Sequence, residues 1–106
     1  MTTIETTFNT ESTDFRNIVL RVGVIVCTNG KKEIVTETHY EEGRLIRFIA
    51  IRRVNGAIAE SGYSINRETG KTRQLFSGIY FGKETPPFNA SERYFELDKF
   101  FREREK

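Results

Sequence analysis

From residue 16 onward, apolar and polar positions alternate in short runs broken by glycine. RNIVLRVGVIVC is followed by TNG, KKEIVTETHY by EEG, and RLIRFIAIRRV by NG; AIAESGYSI leads through ETG to TRQLFSGIYF. Period-two alternation in segments rich in Val, Ile, Thr, Phe and Tyr predicts strands, and the Gly- and Asn-bearing breaks predict turns. Connections this short make the strands sequential antiparallel hairpins, because parallel neighbours need crossovers of about a dozen residues or more.

Turn chemistry sets the expected register. Thr28-Asn29-Gly30, Glu41-Glu42-Gly43 and Glu68-Thr69-Gly70 suit three-residue loops with glycine in the left-handed position, and Asn55-Gly56 suits a two-residue type I′ turn. These lengths pair Cys27 with Lys31, Tyr40 with Arg44, Val54 with Ala57, and Arg67 with Lys71. A core face then collects Leu20, Val26, Ile34, Phe48, Ala50 and Tyr63, continuing to Ile79 and Phe81. Shortening the first turn by one residue would put Val22 and Val26 on a face with Glu33 and Glu37, so the longer turn is expected.

The chain closes with KETPPFNASERYFELDKFFREREK. Pro86 and Pro87 end the last strand, and Asn89 with Glu92 forms a capping box. Tyr94, Leu97, Phe100 and Phe101 recur at helical spacing, with Phe95 close by. The expected fold class is α+β: a curved antiparallel meander of about five strands, with one C-terminal amphipathic helix packed on the core face. Residues 1–15 read as a polar tail or a short edge strand through Ile4, Thr6 and Phe8, and residues 16–106 as a single domain.

The opposite, second face is not the plain polar face of a half-buried sheet. It carries Val35, Ile49 and Ile51 among Arg21, Arg47 and Arg53, with Phe76 and Tyr80 further along and Gly23, Gly62 and Gly78 on the same side. One helix about 24 Å long covers only about half of one face of a five-stranded sheet. Either curvature, another chain or a ligand in a concavity lined by Phe76, Tyr80 and Ile51 must cover the remainder, and contiguous apolar surface commonly marks an association site. Arg47, Ile49, Ile51, Arg53 and Val35 are therefore the expected partner-binding or dimer-interface residues, with sheet edges as the other route to a homodimer.

Composition narrows the function classes. The 106 residues include nine Phe and four Tyr but no Trp, and the formal net charge is +2, below the strongly basic balance of a dedicated duplex-DNA binder. The lone Cys27 rules out an internal disulfide and suits a reducing, cytoplasmic setting. With His39 the only histidine, a two-histidine metal site within the chain is excluded, and no cofactor or metal is expected. His39 beside Glu37 reads as a surface strand-end histidine rather than a proton-transfer pair. Gly70-Lys71-Thr72 lacks the earlier glycine and following helix of a phosphate-binding loop. No apolar run approaches the roughly 20 residues of a membrane span, and the N-terminal sequence lacks the basic start and apolar stretch of a secretory signal.

Two functional readings follow. The leading one is a small non-enzymatic interaction module, acting as a homodimer or by binding another protein. The alternative is single-stranded nucleic-acid binding by Arg21, Arg47, Arg53, Phe76 and Tyr80, since interleaved arginines and aromatics suit stacking and charge. Over residues 16–105, strands followed by one C-terminal helix is similar to the element order of Whirly and Pur-type single-strand-binding domains. That resemblance implies nucleic-acid binding, while Glu33, Glu37 and Glu60 on the same face oppose a phosphate-binding field.

Overall fold

The computed structural model describes residues 7–82 and 92–104. Six strands lie in sequence order in one curved sheet: β1 (Thr7–Asn9), β2 (Ile25–Thr28), β3 (Lys31–Glu41), β4 (Arg44–Val54), β5 (Ala57–Ile65) and β6 (Thr72–Phe81). Helix α1 (Glu92–Arg104) follows. Neighbours from β2 to β6 are antiparallel, and β1 lies parallel to β2. The α+β meander with its C-terminal helix is therefore present, with β1 as a short added edge strand through Phe8. Ile4, Thr6, Pro86, Pro87 and Asn89 lie outside the described residues.

Two of the four expected turns are one residue shorter than their glycine spacing suggested. Thr28 pairs with Lys31 and Glu41 with Arg44. Asn29 and Gly30 have φ of 51° and 78°, as do Glu42 and Gly43. Positive φ at both central residues is the type I′ geometry, which Asn55-Gly56 also adopts in its expected place. The fourth loop is longer: Ile65 pairs with Thr72, and Asn66 Oδ1 accepts the backbone N–H groups of Glu68 and Thr69. The expected Arg67–Lys71 pairing is absent.

The shortened first turn sets Val26 opposite Glu33, the register that keeping carboxylates out of the core had disfavoured. Glu33 is only 3% exposed, and its Oε1 accepts a 2.6 Å hydrogen bond from the Tyr63 hydroxyl. A buried polar group with a partner is tolerable, so the exclusion did not apply. Register shifts then leave Thr36 and Ile46 as extra residues between β3 and β4, and Leu75 between β5 and β6. Such bulges bend a strand and sharpen its twist. They also return Thr38 and Tyr40 to the face that carries Glu33 and Val35.

Both faces of the sheet are covered by the chain itself. Of the expected first strand only Ile25–Thr28 is strand. Before it, Asp14 caps a 3-10 turn at Phe15–Asn17 by accepting the Arg16 N–H. The Tyr40 hydroxyl bonds the Leu20 N–H at 2.8 Å and its carbonyl at 2.7 Å. Gly23, at φ 96°, turns the chain so that its N–H reaches the Val35 carbonyl at 2.8 Å. Phe15 and Leu20 are thus buried with Val35, Phe48 and Tyr63 in the core-face cluster. Full burial of each such side chain is worth about 1.5–3 kcal/mol.

Helix α1 takes the second face, not the core face as expected. Leu97 and Phe101 form a cluster with Ile51 and Ile58, flanked by Ile34, Tyr80, Tyr94 and Phe100. The reason is occupancy: the stretch around Phe15 and Leu20 fills the face of Phe48 and Tyr63, leaving the isoleucine face for the helix. Polar ties fix the docking. Asp98 bonds Arg53 at 2.8 Å and Arg102 at 2.8 Å, and Glu60 holds Arg93 and accepts from the Tyr80 hydroxyl.

Candidate functional site: an open edge strand

The two edges of the sheet differ sharply. On one side β1 contributes three residues, and the stretch before β2 adds backbone bonds to Val35 of β3. On the other, β6 runs ten residues, TRQLFSGIYF, with one charge, Arg73, near its start. Natural edges are usually blunted by shortness, charge, proline or cover. Among the described residues, β6 pairs only with β5.

Strand alternation shows which backbone groups are free to pair. The Gly82 N–H bonds the Gly56 carbonyl, and the register there is continuous with Tyr80–Ile58 and Gly78–Glu60. In an antiparallel ladder, residues directed at the partner strand alternate with residues directed away from it. Phe76, Gly78 and Tyr80 therefore face β5, and Ser77, Ile79 and Phe81 aim their N–H and C=O groups outward. The strand also carries apolar surface: Ile79 and Phe81 among these outward-directed residues, and Leu75 and Phe76 beside them, are each about half exposed (45–54%).

Two glycines on these strands have different local causes. A Cβ on Gly62 would sit 2.2 Å from the Phe76 ring, so Gly62 makes room for that ring inside the chain. At Gly78 a Cβ would meet only the Tyr80 side chain, at 3.6 Å, an ordinary contact. Among the described residues nothing crowds Gly78 as Phe76 crowds Gly62. Glycine inside a strand often marks close approach of another backbone.

The residues expected at a partner interface do not form one surface. Ile51 and Val35 are fully buried, on opposite faces, Ile51 with the helix and Val35 with the core-face cluster. Ile49 is half-buried and pairs with Glu37 and Gly62. Arg53 is committed to Asp98 and lies 4.5 Å over the Phe101 ring. Arg47 is exposed opposite His39, which shares its face with Glu37 as expected and whose Nε2 also lies 3.8 Å from Glu41. Helix α1 took the apolar surface on which that expectation rested.

The nucleic-acid set is likewise scattered. Arg21 is exposed on the stretch before β2, Phe76 covers Gly62, and Tyr80 bonds Glu60. Burial raises the Tyr80 pKa, with smaller raising effects from Glu60 and an opposing one from Arg93, and the Tyr80 hydroxyl is already committed to that carboxylate. The residues sequence reasoning missed as a site are Leu75, Ser77, Ile79 and Phe81. Their signal was present as a charge-free apolar run on the last strand of a meander, which must be an edge.

Among the described residues no three His, Cys, Asp or Glu side chains group as a metal site, and no helix is long and apolar enough to cross a membrane. Comparison with known proteins finds no matching family model, no matching curated protein and no matching solved structure. The resemblance in element order to Whirly and Pur-type domains thus rests on topology alone, and fold order does not establish function.

Proposed function

We propose that this protein is a small non-enzymatic interaction module, cytoplasmic in setting, that works by pairing β6 edge to edge with a second copy. The observation that carries the reading is the open edge itself: a long, nearly uncharged strand with outward backbone groups and half-exposed apolar side chains. Strand addition supplies main-chain hydrogen bonds, and alternate side chains supply specificity. Two-fold pairing centred on Gly78 sets Ser77 against Ile79 of the second copy and Phe76 against Tyr80. Ser77 then leaves room for Ile79 across the join, and each contact occurs twice, as in an isologous interface.

Sedimentation of the wild type and Ile79→Lys over a concentration series tests this directly. Ile79 is half exposed, so a charge there leaves the fold intact while blocking the edge. The reading expects a wild-type dimer from low-micromolar concentration and a monomeric variant. A monomeric wild type would overturn it, and so would a variant that dimerises equally well. Binding to oligo-dT, strongest at low salt because phosphate contacts are screened as salt rises, would instead favour the nucleic-acid alternative.

A further inference from the structure

The sheet splits between β3 and β4. Their ladder stops at Ile34–Ile51, although β3 extends back to Lys31 and β4 runs on to Val54. Continuing the register would set Lys32 opposite Arg53 on one face and Glu33 opposite Arg52 on the other. Only the outer of these two pairs, Lys32–Arg53, would oppose like charges, and each strand keeps its other neighbour, β2 or β5. The two hairpin tips part there.

Two cavities meet at the split, of about 470 Å³ and about 210 Å³, and both are lined by Lys31, Glu33 and Arg52. The larger is also lined by Ile25, Ile34 and Phe101, with Lys32 and Arg53 at its edge. Its volume is that of a small-molecule site. Asp98 neutralises Arg53, but Lys31, Lys32 and Arg52 form no ion pair among the described residues. Burial raises the Glu33 pKa, against the smaller opposing effects of Tyr63, Arg52, Ser61 and Lys31, so Glu33 is one carboxylate among three cations. The site combines an apolar wall with an excess of positive charge, Lys31, Lys32 and Arg52 against Glu33.

We propose that this cleft binds a small organic anion with an apolar body, its head between Lys31, Lys32 and Arg52 and its body against Ile25, Ile34 and Phe101. Charge complementarity selects the head and the apolar wall selects the body; the larger cavity has no β6 residue in its lining, and Gln74 alone of β6 lines the smaller. Octanoate, octyl phosphate and octylammonium titrated into the labelled full-length protein make the test, followed by backbone amide shifts. The expected result is saturable shifts at Ile25, Ile34 and Arg52 with one or both anions and none with the ammonium. Which anion binds distinguishes a carboxylate from a phosphate ligand. Lys32→Glu, at an exposed position, weakens that binding about tenfold or more, as loss of a charge-assisted contact does. Ile79→Lys leaves it unchanged, separating this result from the fate of the edge-strand reading. Equal binding of the ammonium, shifts confined to β6, or no saturable shift would overturn the proposal.

Discussion

Glu33 shows how one residue misdirects a register argument. A carboxylate among valines looked prohibitive, yet the Tyr63 hydroxyl supplies a partner at 2.6 Å, and burial tilts the group toward its neutral form. The sign of the pH dependence follows. With its folded pKa above the ordinary 4.5, Glu33 stays protonated in the native state where the unfolded chain has released the proton. Its contribution is therefore most favourable below pH 4.5, and stability falls as pH rises from there through the native value. Glu33→Gln should remove that slope and hold stability at neutral pH equal to or above wild type, as read by denaturant titration at several pH values. An unchanged slope would show that another group carries it. The turns carry a related lesson: x-x-Gly fits both two- and three-residue loops, and nothing about Glu42 announces its φ of 51°. Asn55-Gly56, by contrast, was legible because Asn-Gly suits the left-handed pair so well.

At the scale of elements, β4 to β6 and the helix were readable because alternation and helical spacing were strong. The faces of those strands came out as expected apart from the bulges, which turn Gln74 toward Ser61 and carry Leu45, expected on the second face, into the core-face cluster in place of Ile46. The stretch before β2 was not readable. Its alternating valines look like strand, but Asp14 and Gly23 turn it into a cover whose value comes entirely from distant partners. Misplacing that cover misplaced the helix, because each apolar surface must be buried against something. Phe15 and Phe101 anchor the two covers separately. Phe15→Ala and Phe101→Ala should each cost about 3–5 kcal/mol. Phe101→Ala should also loosen α1 while the Phe48–Tyr63 stack persists, visible as helix-selective gains in amide exchange. Uniform loss across both faces would contradict two independent clusters.

For the whole molecule, self-coverage changes where function can reside. Both faces need shielding and the chain supplies a cover for each; among the described residues Val19, Val22 and Phe95 are exposed elsewhere, and the other four of the seven exposed large hydrophobics lie along β6. A substitution there acts on association and not on folding: Ile79→Lys should move unfolding midpoints little while abolishing concentration dependence. The cleft between the hairpin tips was invisible in the sequence, because it depends on where one ladder stops.

Hydrogen exchange at individual amides of β6 tests edge pairing most directly. Phe76, Gly78 and Tyr80 bond inward and should be protected at every protein concentration. Ser77, Ile79 and Phe81 should exchange freely in dilute solution and gain protection as concentration rises, in step with dimer formation. If those three amides exchange at the same unprotected rate at all concentrations, β6 does not pair with a second copy.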